Sequence, residues 1–233
     1  MQRRFDPGEP ELMDRPQPVT AELVSDLRNL RQFNRYFGSY ALITRFLRRW
    51  IKPEAHLRML DLATGSGDIP RLVVNHARKV GARMSVLAID QQSSTLEIAR
   101  SLSVDFPEIE FRQGDVVSFE DDKQFDIVLC SLALHHFDES NAVKVLNRCR
   151  DLSRRFVLVA DLRRGLLATV GVYLLTAFIY RESMTRYDAR LSAARAFSFR
   201  EFELLARRAG WTQFHHRKFR FARQAIWMEP PGI

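Results

Sequence analysis

The sequence has little of what would place it in several protein classes. It has only two cysteines, Cys130 and Cys149, in 233 residues. Two cysteines make neither a disulfide framework nor a cysteine cluster for a metal, so a reducing, cytoplasmic setting is expected. There is no run of 18 uncharged apolar residues, so no membrane-spanning helix is expected. The uncharged stretch from Gly165 to Tyr180 would make roughly 24 Å of helix, short of the ~30 Å hydrocarbon core. Residues 1–20 carry charge and Pro7, Pro10, Pro16 and Pro18 without an apolar stretch, so no signal peptide is expected. No internal repeat is evident.

What is present is ordinary for a globular protein: 46% apolar residues and 27% charged. The net charge of +8 is unevenly spread. Residues 1–56 carry +3, residues 57–143 carry −6 and residues 144–223 carry +12. A basic final third suits phosphate, an anionic membrane surface or an acidic substrate, and equally a solvated face.

Residues 1–19 read as a flexible arm. Thr20 can cap a helix running to about Asn34, whose Leu23, Leu27 and Leu30 share one face. A second helix is expected over Tyr40–Trp50, after a break at Gly38, so residues 20–56 form a helical lid. From residue 57 the pattern alternates. Strands are expected over Leu57–Ala63, Met84–Ile89, Ile109–Arg112, Phe125–Leu129 and Phe156–Ala160, with helices over Ile69–Val80, Thr95–Val104 and Asn141–Asp151. This predicts an α/β fold with a parallel sheet covered on both faces over residues 57–162. Residues 163–198 interrupt the alternation and read as an inserted helical cap. Residues 199–233 complete the sheet: Ser198 and Glu201 form a capping-box pattern before a helix over Phe199–Arg208. A hairpin of Trp211–His215 and Phe219–Trp227 follows, which leaves His215 and His216 at a solvated turn.

The most informative segment is Leu60-Asp61-Leu62-Ala63-Thr64-Gly65-Ser66-Gly67-Asp68. It joins an apolar strand to a helix, and its glycines let the backbone bend sharply beside a ligand. A second acid, Asp90, follows the next strand, where a carboxylate can accept hydrogen bonds from both ribose hydroxyls of a nucleoside. Pro70 stands where a dinucleotide fingerprint needs its last glycine. Asp61 and Asp68 would repel a pyrophosphate but suit a ligand with a sulfonium and an ammonium.

With these residues in place, the chain resembles the class I S-adenosylmethionine-dependent methyltransferase superfamily, in its small-molecule branch. LDLATGSGD resembles the first motif, IDQQ at 89–92 the second, GDV at 114–116 the next and FDIVLCSLALHHF at 125–137 the fourth. The resemblance implies a Rossmann-like, seven-stranded, mostly parallel sheet of order 3-2-1-4-5-7-6 with strand seven antiparallel. It implies S-adenosylmethionine as cofactor. Asp61, Ala63, Gly65 and Gly67 would lie near its methionine part, bordered by Ser131 and Leu132. Asp90 would hold the ribose, and Gln91, Asp115 and Val116 would flank the adenine. No (D/N)PP(Y/F) tetrapeptide is present; Cys130-Ser131-Leu132-Ala133 stands in its place. That argues against an adenine or glutamine nitrogen as acceptor. The LHHF ending and the two N-terminal helices resemble enzymes acting on small molecules, which implies a small lipophilic acceptor methylated on oxygen or activated carbon: phenolic, quinone-like or polyketide. An RNA methyltransferase and a non-catalytic, cofactor-binding assembly protein are the alternatives. Oligomeric state is left open.

Methyl transfer needs alignment, exclusion of water and, for a phenol or activated carbon, a base. His135 or His136, just past strand four, would supply one. Tyr36, Tyr40, Tyr173, Arg181 and Tyr187 would line the acceptor pocket, and Arg35 would meet the carboxylate of the donor. No metal-ligand spacing is present, and peripheral contact with an anionic membrane surface is compatible with the basic, partly apolar cap.

Overall fold

The alternation after residue 56 folds into one seven-stranded sheet of order β3-β2-β1-β4-β5-β7-β6. The computed structural model describes residues 2–121 and 124–231. The strands are β1 His56–Leu62, β2 Arg83–Asp90, β3 Ile109–Gln113, β4 Phe125–Ser131, β5 Ser153–Leu162, β6 His215–Phe219 and β7 Arg223–Met228. Pairs β1–β2, β1–β4, β2–β3 and β4–β5 are parallel, whereas β7 runs antiparallel to β5 and to β6. The strand order reverses between β1 and β4, and that crevice is where open α/β sheets bind ligands.

The helices are α1 Ala21–Tyr36, α2 Ser39–Trp50, α3 Asp68–Val80, α4 Ser93–Ser101, α5 Glu139–Asp151, α6 Leu166–Phe178, α7 Ser183–Arg195 and α8 Phe199–Arg208. Local chemistry sets several boundaries. The Thr20 side chain accepts from the Leu23 N–H, Gly38 turns left-handed at φ 89°, and Ser198 with Glu201 closes a capping box. Leu57 and Met59 of β1 face α2 and α3, while Leu60 and Leu62 face α5 and α8. The period of two along the strand therefore divides the core into two layers. Cys130 and Cys149 are buried in the second layer as free thiols.

Two expectations are corrected. Residues 2–19 are fastened rather than loose. The Arg3 guanidinium donates to the carbonyls of Arg195, His135 and Phe137 at 2.6, 3.1 and 2.7 Å. A single 3-10 turn, Leu12–Asp14, presents its Leu12 and Met13 N–H groups to the Asp188 carboxylate of α7 at 2.7 and 3.1 Å. Apolar periodicity could not reveal this segment, because polar and backbone groups hold it.

The terminal hairpin is shifted as well. Its turn is Arg220–Ala222, with Phe221 and Ala222 at φ 53° and 52°, so His215 and His216 lie in β6. His216 stacks on Phe199 at 3.7 Å and His215 on Trp227 at 5.0 Å. Aromatic stacking, not turn composition, fixes the register.

Candidate active site

A cavity of about 780 Å³ lies at the carboxyl ends of β1, β2 and β4, beneath α1, α6 and the N-terminal arm. Its floor begins at the glycine turn. Gly65 adopts φ 55° and its N–H donates to Asp90 Oδ2 at 2.8 Å, which ties the turn after β1 to the end of β2. Gly67 is left-handed at φ 70° and starts α3; a Cβ there would meet the Phe111 ring at 2.9 Å, whereas a Cβ on Gly65 would meet nothing within 4 Å. The empty side of Gly65 is the side a ligand can approach. Ala63 and Leu132, at the ends of β1 and β4, also have positive φ, 59° and 56°. Such strain in non-glycine residues concentrates at binding sites.

The floor is acidic. Burial pushes the Asp61 carboxyl up to about 8 against the Thr64 hydroxyl beside it, and the Asp68 and Asp90 carboxylates push it further the same way. Burial also raises Asp90, whose oxygens accept from the Gly65 and Gln92 N–H groups. Asp68 accepts from Asn34 Nδ2 and the Tyr40 hydroxyl, each at 2.9 Å, so the lid is tied to the floor. A buried carboxyl facing other acids fits a cationic ligand.

The two histidines have different surroundings. Asp161, at the end of β5, accepts from the His135 backbone N–H at 2.9 Å and meets Nδ1 of the same residue at 2.7 Å. A carboxylate can only accept, so Nδ1 donates to Asp161, which orients the ring with Nε2 towards Glu11. Nε2 lies 3.8 Å from Glu11 Oε1. His136 Nδ1 sits 2.7 Å from Asp14 Oδ2, and Nε2 lies 4.0 Å from Glu11 Oε2. Burial disfavours charge on His136, but Glu11 and Asp14 outweigh it and push the imidazole up to about 10. His136 is therefore a cation at neutral pH, seated between two arm carboxylates, and is no base in this state.

Glu11, His135 and His136 bring one donor atom each within 4.8 Å of one another. The 3.8 and 4.0 Å separations exceed the ~3.3 Å between ligands sharing a tetrahedral zinc with ~2.0 Å bonds.

Of the residues expected to contact the cofactor, Asp61, Ala63, Gly65, Asp90, Ser131 and Leu132 border the cavity, as do His135 and His136. Gly67 lies behind the turn. Gln91 is exposed, Val116 is buried in the core layer beside α5, and Asp115 accepts from the Val117 N–H and the Ser118 hydroxyl; none of these three borders the cavity. The expected acceptor residues lie away from the cavity. Tyr36, Tyr173 and Tyr187 are 61%, 49% and 39% exposed, Arg181 is exposed, and Tyr40 is spent on Asp68; none of the five borders the cavity. The reason is helical phase. The cavity side of α1 carries Leu27, Leu30, Arg31, Phe33 and Asn34, and that of α6 carries Ala168, Gly171, Val172 and Leu175.

Several wall residues were missed. Arg31, not Arg35, faces the cavity, and its buried Nη1 hydrogen-bonds to nothing among the described residues. Arg223 of β7 borders it too; burial lowers this guanidinium to about 10, still cationic at neutral pH. Asp161 could have been found as an acid at the carboxyl end of a parallel strand. Glu11 and Asp14 had no sequence signal beyond their charge.

The family described as "Methyltransferase domain" matches residues 59–155. The demethylmenaquinone methyltransferase of Thermotoga maritima is 29% identical over 139 residues, 54% of this chain and 57% of the relative. The 2-phytyl-1,4-naphtoquinone methyltransferase of Thermosynechococcus vestitus is 34% identical over 82 residues, 35% of each chain. The chain thus spans between about a third and about half of the length of these curated relatives. Among solved structures, a SAM-dependent methyltransferase from Aquifex aeolicus superposes with a TM-score of 0.61 at 14% identity, covering 96% of this chain and 98% of that one. The plantazolicin methyltransferase BamL, solved with a triazolic desmethylPZN analog and SAH, gives a TM-score of 0.65 at 17% identity, covering 86% of this chain and 73% of that one. Such identities establish a shared fold.

Proposed function

We propose that the chain is a class I S-adenosylmethionine-dependent methyltransferase, as the methyltransferase-domain match over residues 59–155 and the shared fold support, and that it transfers a methyl group from S-adenosylmethionine to an oxygen or activated carbon of a small lipophilic acceptor. The acceptor class is phenolic, quinone-like or polyketide. The observation that carries this reading is one cavity with two unlike walls. Its floor is a glycine turn ringed by acids, and its roof is the apolar side of α6. At about 780 Å³ it lies in the upper part of the ~300–1,000 Å³ range of small-molecule sites, enough for a nucleoside and a second small molecule.

Bound S-adenosylmethionine supplies an activated methyl group on a good leaving group. The chain's own residues hold and orient it. Asp90 takes the ribose hydroxyls, the open side of Gly65 takes the methionine backbone, and Asp61 answers the positive charge. Arg31 reaches the carboxylate with its unpaired Nη1. Leu132 and Ala63 close the walls at the methionine end, beside Ser131. The arm closes beside the end of β2, where its Asp14 carbonyl accepts from the Gln92 amide. His135, its ring oriented by Asp161, takes a proton from the acceptor at Nε2. The arm and α6 exclude water from this transfer. The names of the two quinone-directed relatives support a lipophilic acceptor.

Incubation with labelled S-adenosylmethionine and a panel of lipophilic phenols and quinones should yield a labelled product and S-adenosylhomocysteine. His135→Gln should lower kcat on the same acceptor by about 100-fold or more. Turnover on RNA with none on any small molecule would overturn the proposal.

A further inference from the structure

Helix α6 carries no charge along its 13 residues. One side borders the cavity, with Leu167 on its rim 88% exposed; the other displays Val170, Leu174 and Phe178, spaced four apart and 47%, 55% and 69% exposed. Leu166, Tyr173 and Ile179 are exposed beside them. Exposed apolar residues are normally scattered singly; a contiguous stripe marks a surface that something covers.

The stripe continues around the cavity mouth. Tyr180, buried just past α6, meets Phe33 at 4.3 Å in a tilted contact, Phe33 meets Phe37 at 5.5 Å, and Phe37 meets Phe221 edge-on at 5.9 Å. Phe221 is 57% exposed at the tip of the β6–β7 turn. The flanking charge is mostly positive, with Glu182 an exposed acid next to Arg181. Residues 162–181 contain arginines and no carboxylate, as do residues 215–223 with their lysine, and Arg181, Arg217, Lys218 and Arg220 are exposed.

We infer that this face docks on an anionic phospholipid bilayer, with α6 lying flat in the headgroup layer and the cavity mouth turned towards the lipid. No helix of the structure is long and apolar enough to cross a membrane. At 13 residues α6 is roughly 20 Å long, and a flat position buries its stripe while the flanking cations meet lipid phosphates. The like charge argues against a second copy as the occupant, because a two-fold contact would bring the same cations face to face. A lipophilic acceptor would then pass from the bilayer into the cavity under α6; that route rests on the proposed function, whereas the docking does not.

Flotation of the full chain with vesicles tests it. Binding should be strong to phosphatidylcholine mixed with phosphatidylglycerol, weaker to phosphatidylcholine alone, and reduced by salt. The double change Leu174→Glu and Phe178→Glu lies outside the cavity wall; it should lower bound protein about tenfold or more while leaving calorimetric affinity for S-adenosylmethionine unchanged. Arg181→Gln with Arg220→Gln should remove the preference for anionic lipid. Wild-type protein that ignores both vesicle types, or a double variant that binds them as well as wild type, overturns the inference. So does a dimer in size-exclusion chromatography that the same double change dissociates, with no vesicle binding. Docking without affinity for S-adenosylmethionine would sink the proposed function and leave this inference standing.

Discussion

The floor and the roof of the cavity are held together over very different chain distances. The floor's key hydrogen bond, Gly65 to Asp90, spans 25 residues and one βαβ unit. The roof's arm is pinned by bonds spanning 132, 189 and 192 residues, from Arg3 to His135, from Arg195 to Asp6 and from Arg3 to Arg195. The floor is stiff because its groups are buried in strand ends and a strained turn. The roof is polar where it meets α7 and the histidines, and such contacts yield to pH. The comparison teaches that the binding chemistry sits on the rigid element, whereas enclosure is left to a segment that must be recruited from a distance.

Asp90→Ala should show the largest effect, weakening S-adenosylmethionine about 100-fold in a calorimetric titration, since it removes both the ribose acceptor and the bond that shapes the turn. A change below about threefold would mean that the floor does not grip the cofactor. Arg31→Gln should cost roughly tenfold, the worth of one charge-assisted bond at the roof, while Arg35→Gln should leave the same titration unmoved. Equal effects would erase the distinction between the cavity side and the solvent side of α1.

Gly67→Ala should lower thermal stability by about 1–2 kcal/mol, because φ 70° strains an L-residue and the new Cβ meets Phe111. An unchanged melting temperature would show that the turn relaxes and that the floor is softer than its geometry suggests.

The roof should respond to pH. His136 is raised from 6.5 to about 10, so its contribution to holding the arm is whole below about 6.5 and is lost as pH rises through 10. His136 holds Asp14 below its ordinary value of 3.8 despite burial, so that contribution is present above 3.8 and is lost as pH falls further. Trypsin cleavage within residues 2–19 should therefore quicken severalfold between neutral pH and pH 10, and His136→Gln should flatten that rise. Cleavage independent of pH in the wild-type chain would assign the arm's anchorage to Arg3, Asp188 and Ser192, whose hydroxyl donates to Glu11 Oε1 at 2.6 Å, instead.

Legibility followed the same division. Strand ends, the glycine turn, the acid after β2 and the helix caps were readable because each depends on neighbours a few residues away. The cavity-facing residues of α1 and α6 were not, because choosing Arg31 over Arg35, or Leu175 over Tyr173, requires the angle at which each helix lies. The shifted hairpin was missed because stacking of His216 on Phe199 and of His215 on Trp227 is a contact between distant segments.

By itself the sequence determined a parallel α/β sheet with an acid-flanked glycine turn at its carboxyl edge, since apolar period and turn chemistry are local properties. Only the tertiary structure decided which carboxylate each histidine meets, which arginine faces the cavity and what closes it. Those depend on Asp161, Arg31, Glu11 and Asp14, groups brought to one place by the packing of α1, α7 and the arm, and carrying no periodic signal of their own.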